Sequence, residues 1–115
     1  MRTLLTFIGL FIALNSTVNA DTAIIAVASN FKNAMSALLV QFHHQHPQHQ
    51  LKQSNASSGV IFNQVTQGAP FDVFLSADSR YPLALAQQGL GIEDSRFTYA
   101  EGELAVVTQE QTINN

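Results

Sequence analysis

Apolar positions fall along the chain in two alternating patterns. Thr22 to Val27 (TAIIAV) is a continuous apolar run rich in Ile, Val and Thr, the pattern of a strand buried on both faces of a parallel sheet. From Phe31 onward, Phe31, Met35, Leu38, Leu39 and Phe42 recur at intervals of three and four. That is the period of an amphipathic helix, and it gives way to a polar, histidine-rich stretch before Pro47. A tight Ser29-Asn30 turn joins the two elements. The order then repeats: Gln50 to Asn55 reads as a second strand, Ala56-Ser57-Ser58-Gly59 as turn chemistry, and Val60, Ile61 and Val65 as one face of a short helix stopped by Gly68-Ala69-Pro70. Phe71 to Ser76 predicts a third strand, Arg80 to Gln88 a helix with Gly89 at its C-terminal cap, and Glu103 to Thr108 a fourth strand. Strands alternating with helices predict an α/β fold with a doubly wound, mainly parallel sheet and right-handed crossovers.

The first 20 residues have a different character. Met1 and Arg2 precede an apolar run from Leu4 to Leu14, and Val18-Asn19-Ala20 places small or modest residues before a cut after Ala20. This is the layout of a secretory signal peptide. The apolar run is about half the roughly 20 residues that span a bilayer, so the mature chain is expected to lack an integral membrane segment. Five Lys and Arg against eight Asp and Glu, with no basic run, leave no electrostatic footprint for nucleic acid. The chain has no cysteine, which removes disulfides, thiol catalysis, cysteine-ligated metals and a lipid-modified cysteine.

Candidate chemistry lies where strands lead into helices. In an open α/β sheet, ligands bind at the carboxyl ends of the strands, and a helix N-terminus there offers unpaired N–H groups and a partial positive charge. Ser29 follows the first strand and Ser58 the second, and a serine hydroxyl adds an O–H donor. Serine is also a common helix cap, and spacing alone favours that ordinary role. With no Lys or Arg in either loop, a site made from these groups would hold an anion by neutral donors. Such a site suits a fully ionised tetrahedral dianion such as sulfate or molybdate better than a protonated phosphate, which needs an acceptor.

Other clusters offer less. His43 and His46 sit one helical turn apart, as two metal ligands could, but HHQHPQH marks a helix end with no carboxylate close by in sequence, so no metal site is assigned. Asp72 and Asp78 bracket the third strand about 20 Å apart if extended, beyond the roughly 5 to 9.5 Å of paired catalytic carboxylates. Asp78 is expected to cap the next helix. No nucleophile elbow, phosphate-binding Gly-rich loop or HExxH occurs, so no enzyme and no cofactor is predicted.

Four blocks in order, AVASNF (Ala26 to Phe31), SSG (Ser57 to Gly59), GAPFDVFLSAD (Gly68 to Asp78) and SRFTYAEGELAVV (Ser95 to Val107), resemble the periplasmic molybdate-binding proteins that feed ABC transporters. That family has the type II periplasmic-binding-protein fold, two lobes closing on a ligand by a hinge motion. The resemblance implies that Ser29 and Ser58 donate hydroxyl and backbone hydrogen bonds to molybdate or tungstate, with the Asn30 N–H a further donor. It implies no ligand role for Asp72 or Asp78, and the tyrosine that the family's second lobe supplies is matched by neither Tyr81 nor Tyr99. It implies a periplasmic monomer whose partner is a membrane permease.

On this reading residues 1–20 are the signal peptide, 21–101 the first lobe, and 102–115 the hinge strand and the start of the second lobe. The chain is read as the N-terminal part of a two-lobed protein, so residues 21–115 alone are expected to bind molybdate weakly or undetectably. A sulfate, tungstate or other oxyanion receptor is the neighbouring alternative. A secreted histidine-based metal-binding module or enzyme is the alternative from a different class.

Overall fold

A computed structural model describes residues 21–106 of the 115-residue chain. The signal-peptide reading of residues 1–20 and the last residues of the expected fourth strand lie outside that range. Three parallel strands, β1 (Thr22–Ala28), β2 (Gln50–Ala56) and β3 (Val73–Leu75), form one sheet in the order β2-β1-β3. Between them run α1 (Lys32–Gln45) and α2 (Ser58–Thr66), and α3 (Arg80–Gln87) follows β3. The apolar run of β1 takes the central position, as its lack of alternation predicted: Ile25, Ala26, Val27 and Ala28 are all buried.

Alternation along β1 divides the core. Ile25 and Val27 cluster with Met35 of α1, backed by Phe31, Leu39, Leu51 and Leu75. Ala26 and Ala28 point to the opposite face. There α2 packs against both β1 and α3, and Ile61 of α2 is fully buried. Two alanines at these positions let the helix approach the sheet closely.

The helix ends follow from sequence chemistry. At the end of α2, Gly68 takes φ 89°, its N–H donates to Val65 O at 2.9 Å and the Ala69 N–H to Gln64 O at 2.9 Å. Gly89 repeats this after α3 with φ 70°, donating to Ala86 O, while Leu90 N–H donates to Leu85 O. Both are Schellman caps, which place glycine in the left-handed region.

Three expectations need correction. The first helix does not start at Phe31: a 3₁₀ turn, Ser29–Phe31, intervenes, and α1 begins at Lys32. The third strand is shorter than Phe71 to Ser76, because the Asp72 carboxylate enters the ladder. Its Oδ2 accepts the Ile24 N–H at 2.7 Å while its own N–H donates to Ile24 O at 2.9 Å. The fourth strand is absent over its described part, residues 103–106, where Leu104 and Val106 are fully exposed. β-forming residues become a strand only beside a partner, and none lies alongside them among the described residues.

Candidate functional site

The sheet register brings three loops to one edge. In the parallel pairing Ala28 is opposite Ala56, and Val27 is opposite Leu75. All three strands therefore end at about the same level, each outer strand about 4.8 Å from β1. Ser29-Asn30, Ser57-Ser58-Gly59 and Ser76-Ala77-Asp78 leave the carboxyl edge side by side. Ser29 and Ser58, far apart in sequence, thus belong to neighbouring loops. The chain also leaves β1 toward β2 and returns past it to β3, so this edge is a topological switch point, where open α/β sheets hold ligands.

The two serines are held differently. Ser29 and Asn30 are exposed in the 3₁₀ turn, and neither has a side-chain hydrogen bond among the described residues. The leading N–H groups of such a turn have no acceptor within it, which leaves the Asn30 N–H available. Ser58 is 7% exposed, and its Oγ accepts the Ala77 N–H at 2.9 Å. That contact uses the oxygen of the hydroxyl and leaves its proton free to donate.

Neither serine is a side-chain helix cap. The cap of α2 is Ser57, whose Oγ accepts the Val60 N–H at 3.4 Å. Sequence alone did not separate Ser57 from Ser58, since either fits the cap position of an SSG turn. The structure assigns the cap to the first and frees the hydroxyl proton of the second.

The third loop was not singled out by sequence. Ser76 is 7% exposed, and its carbonyl accepts the Tyr99 hydroxyl at 2.9 Å. The Tyr99 ring meets Phe31 edge-on, with centroids 5.0 Å apart. Burial pushes the Tyr99 hydroxyl above its ordinary value of 10.0. Among the described residues the hydrogen bond that links this loop to Ser58 comes from a main-chain N–H, that of Ala77, and a main-chain donor has no sequence signature. Tyr81 lies on the flank: a Cβ on Gly59 would come within 2.9 Å of its Oη. Glycine there lets α2 and α3 approach.

The carboxylates are occupied elsewhere. Asp78 Oδ1 accepts the N–H groups of Arg80 at 2.9 Å and Tyr81 at 3.4 Å, the expected cap of α3. Its other oxygen lies 3.9 Å from the Arg80 guanidinium. Asp72 is tied to Ile24 near the start of β3, away from the carboxyl edge. Among the histidines, His43 Nε2 accepts the Leu51 N–H at 3.2 Å, and His46 packs on Phe42 at 4.8 Å. Among the described residues no group of three or more His, Asp or Glu is placed to hold a metal, and no helix is long and apolar enough to cross a membrane. A groove of about 920 Å³ between β3, α3 and residues 91–100 is lined mainly by apolar side chains, including Phe71, Leu85 and Phe97. Ser76 and Tyr99, which line it as well, are engaged with each other through the Tyr99 hydroxyl and the Ser76 carbonyl.

Known proteins match this arrangement. The molybdate-binding protein ModA of Rhodobacter capsulatus is 36% identical over 101 residues, 88% of this chain and 40% of that protein. Its counterpart in Azotobacter vinelandii is 39% identical over 82 residues, 71% of this chain and 32% of that protein. A solved structure, the Azotobacter vinelandii periplasmic molybdate-binding protein, superposes with a TM-score of 0.64 at 39% identity, covering 67% of this chain and 33% of that one. The chain spans about a third to two-fifths of the length of these relatives. Residues 23–115 match the model of the bacterial extracellular solute-binding proteins, and with a parallel α/β sheet whose serine-bearing loops gather at one carboxyl edge, the chain belongs to that family.

Proposed function

We propose that this chain forms the first lobe of a periplasmic receptor that captures molybdate, or the isostructural tungstate, for an ABC importer. The observation that carries the reading is the register: Ala28 opposite Ala56 sets the Ser29-Asn30 and Ser57-Ser58 loops side by side at the switch point. The donors there are neutral, namely the hydroxyls of Ser29 and Ser58 and the backbone N–H of Asn30. A tetrahedral dianion that only accepts hydrogen bonds matches them. The relatives named for molybdate binding support the choice of anion. The function is binding, with no catalytic step and no cofactor.

In this proposal residues 1–20 direct export and are removed after Ala20, residues 21–101 make the first lobe, and residues 102–115 lead toward the second. The second lobe supplies further donors and closes over the anion, so residues 21–115 alone bind it poorly. The partners are the anion and a membrane permease, and the receptor works as a monomer.

Calorimetric titration of the complete protein, as its source expresses it, tests the reading. One molybdate per protein with a dissociation constant at or below the micromolar range is expected, with sulfate weaker. No binding of molybdate, or tighter binding of sulfate, overturns it.

A further inference from the structure

We propose that Tyr99 is a positioning residue for the anion site, acting on the Ser58 hydroxyl through a single peptide group. The inference rests on the receptor reading above and deepens it. The carbonyl of Ser76 and the N–H of Ala77 belong to one planar peptide unit, rigid and with its oxygen and hydrogen on opposite sides. Tyr99 donates to that carbonyl at 2.9 Å, and the same unit donates its N–H to Ser58 Oγ at 2.9 Å. The chain of donors therefore runs from the Tyr99 hydroxyl through the Ser76–Ala77 peptide to the Ser58 hydroxyl, and on to whatever Ser58 donates to.

Hydrogen bonds in series polarise one another. Donation to the Ser76 oxygen makes the Ala77 N–H a stronger donor. A stronger bond onto Ser58 Oγ makes its remaining proton a stronger donor in turn. Geometry acts in the same direction: with its oxygen fixed by Ala77, the Ser58 hydroxyl has fewer orientations to lose when an anion arrives.

Tyr99 also reaches the other serine loop. Its ring packs edge-on against Phe31, the last residue of the 3₁₀ turn that begins at Ser29. Phe31 in turn packs on the core cluster of Ile25, Val27 and Met35. One side chain, from the segment between α3 and the end of the first lobe, thus fastens the loops after β1 and β3 and acts through the latter on the loop after β2.

The test is a double-mutant cycle in the complete protein, reading molybdate affinity by calorimetry. Tyr99→Phe keeps the ring on Phe31 and removes the hydroxyl, and it should weaken molybdate binding about two- to tenfold. In a Ser58→Ala background the same substitution should change affinity by less than about twofold, because the hydroxyl it acts on is gone. An equal fold-loss in both backgrounds, or no loss from Tyr99→Phe alone, overturns the proposal while leaving the receptor reading intact. Failure of the unmodified protein to bind molybdate overturns both. A second measurement needs no variant: the Ala77 amide proton should shift downfield in the NMR spectrum on adding molybdate, and an unmoved resonance overturns the relay.

Discussion

Ser58 accepts the Ala77 N–H at 2.9 Å from a nearly buried position, whereas Ser29 stands exposed with no side-chain partner among the described residues. The two serines therefore separate stability from binding. Ser58→Ala leaves a part-buried N–H without its acceptor and should destabilise the protein by about 1–3 kcal/mol in chemical denaturation, besides weakening molybdate binding. Ser29→Ala should change stability by less than about 0.5 kcal/mol while still weakening binding. Equal stability losses in the two variants would contradict this assignment.

Asp78 holds the start of α3, and on the proposed reading it is not a ligand. Its Oδ1 holds the N–H groups of Arg80 and Tyr81. Asp78→Ala should cost about 0.5–2 kcal/mol, and Asp78→Asn, which keeps an acceptor oxygen, should recover most of that. Molybdate affinity should not fall in Asp78→Asn, since the change removes a negative charge near an anion site. A large affinity loss in that variant would show the carboxylate doing something other than capping.

The sequence made most of this arrangement legible, for identifiable reasons. The unbroken apolar run of β1, the three-and-four spacing of α1 and the glycines at 68 and 89 each report a local physical demand; β1 and the glycine caps formed where expected, and α1 formed one residue later, behind a 3₁₀ turn. The shared edge of the Ser29 and Ser58 loops was legible because strand ends in such sheets gather on one side. What stayed hidden depends on long-range partners. The Ala77 N–H has no side-chain signature, and Tyr99 reaches Ser76 across 23 positions of sequence. The run at 103–106 has strand-forming residues, but propensity cannot supply the neighbouring strand.

Burial raises Tyr99 above 10.0, and this gives a signed pH dependence. In the unfolded chain the phenol ionises near its ordinary value, while the folded protein holds its proton to a higher pH. Above pH 10.0 the folded state thus binds more protons, so the stability contributed by Tyr99 is full below that pH and is lost as pH rises through the raised folded value. Tyr99→Phe has no such ionisation. The stability difference between the unmodified protein and Tyr99→Phe should shrink in alkaline denaturation series, and a difference that stays constant across that window would contradict the burial.

The last prediction concerns which anions are refused. Ser58 Oγ already accepts the Ala77 N–H, so its hydroxyl meets a ligand with its proton, and the exposed Ser29 hydroxyl, donating as proposed, turns its proton to the anion as well. The backbone N–H of Asn30 can only donate, and Asp78, the nearest carboxylate in the third loop, is engaged by the start of α3. Molybdate and sulfate at neutral pH carry no proton and need only donors. Phosphate at neutral pH retains at least one P–O–H, and that proton must find an acceptor or lose a hydrogen bond it had in water. One unmade bond to a group of this kind costs about 1–3 kcal/mol, which corresponds to a preference of about 5- to 150-fold against phosphate. The preference should grow as pH is lowered and phosphate takes up a second proton, while sulfate binding stays level. Competition titrations of the complete protein at several pH values read this directly, and phosphate competing as well as sulfate would show a serine hydroxyl of the site accepting the phosphate proton in place of donating.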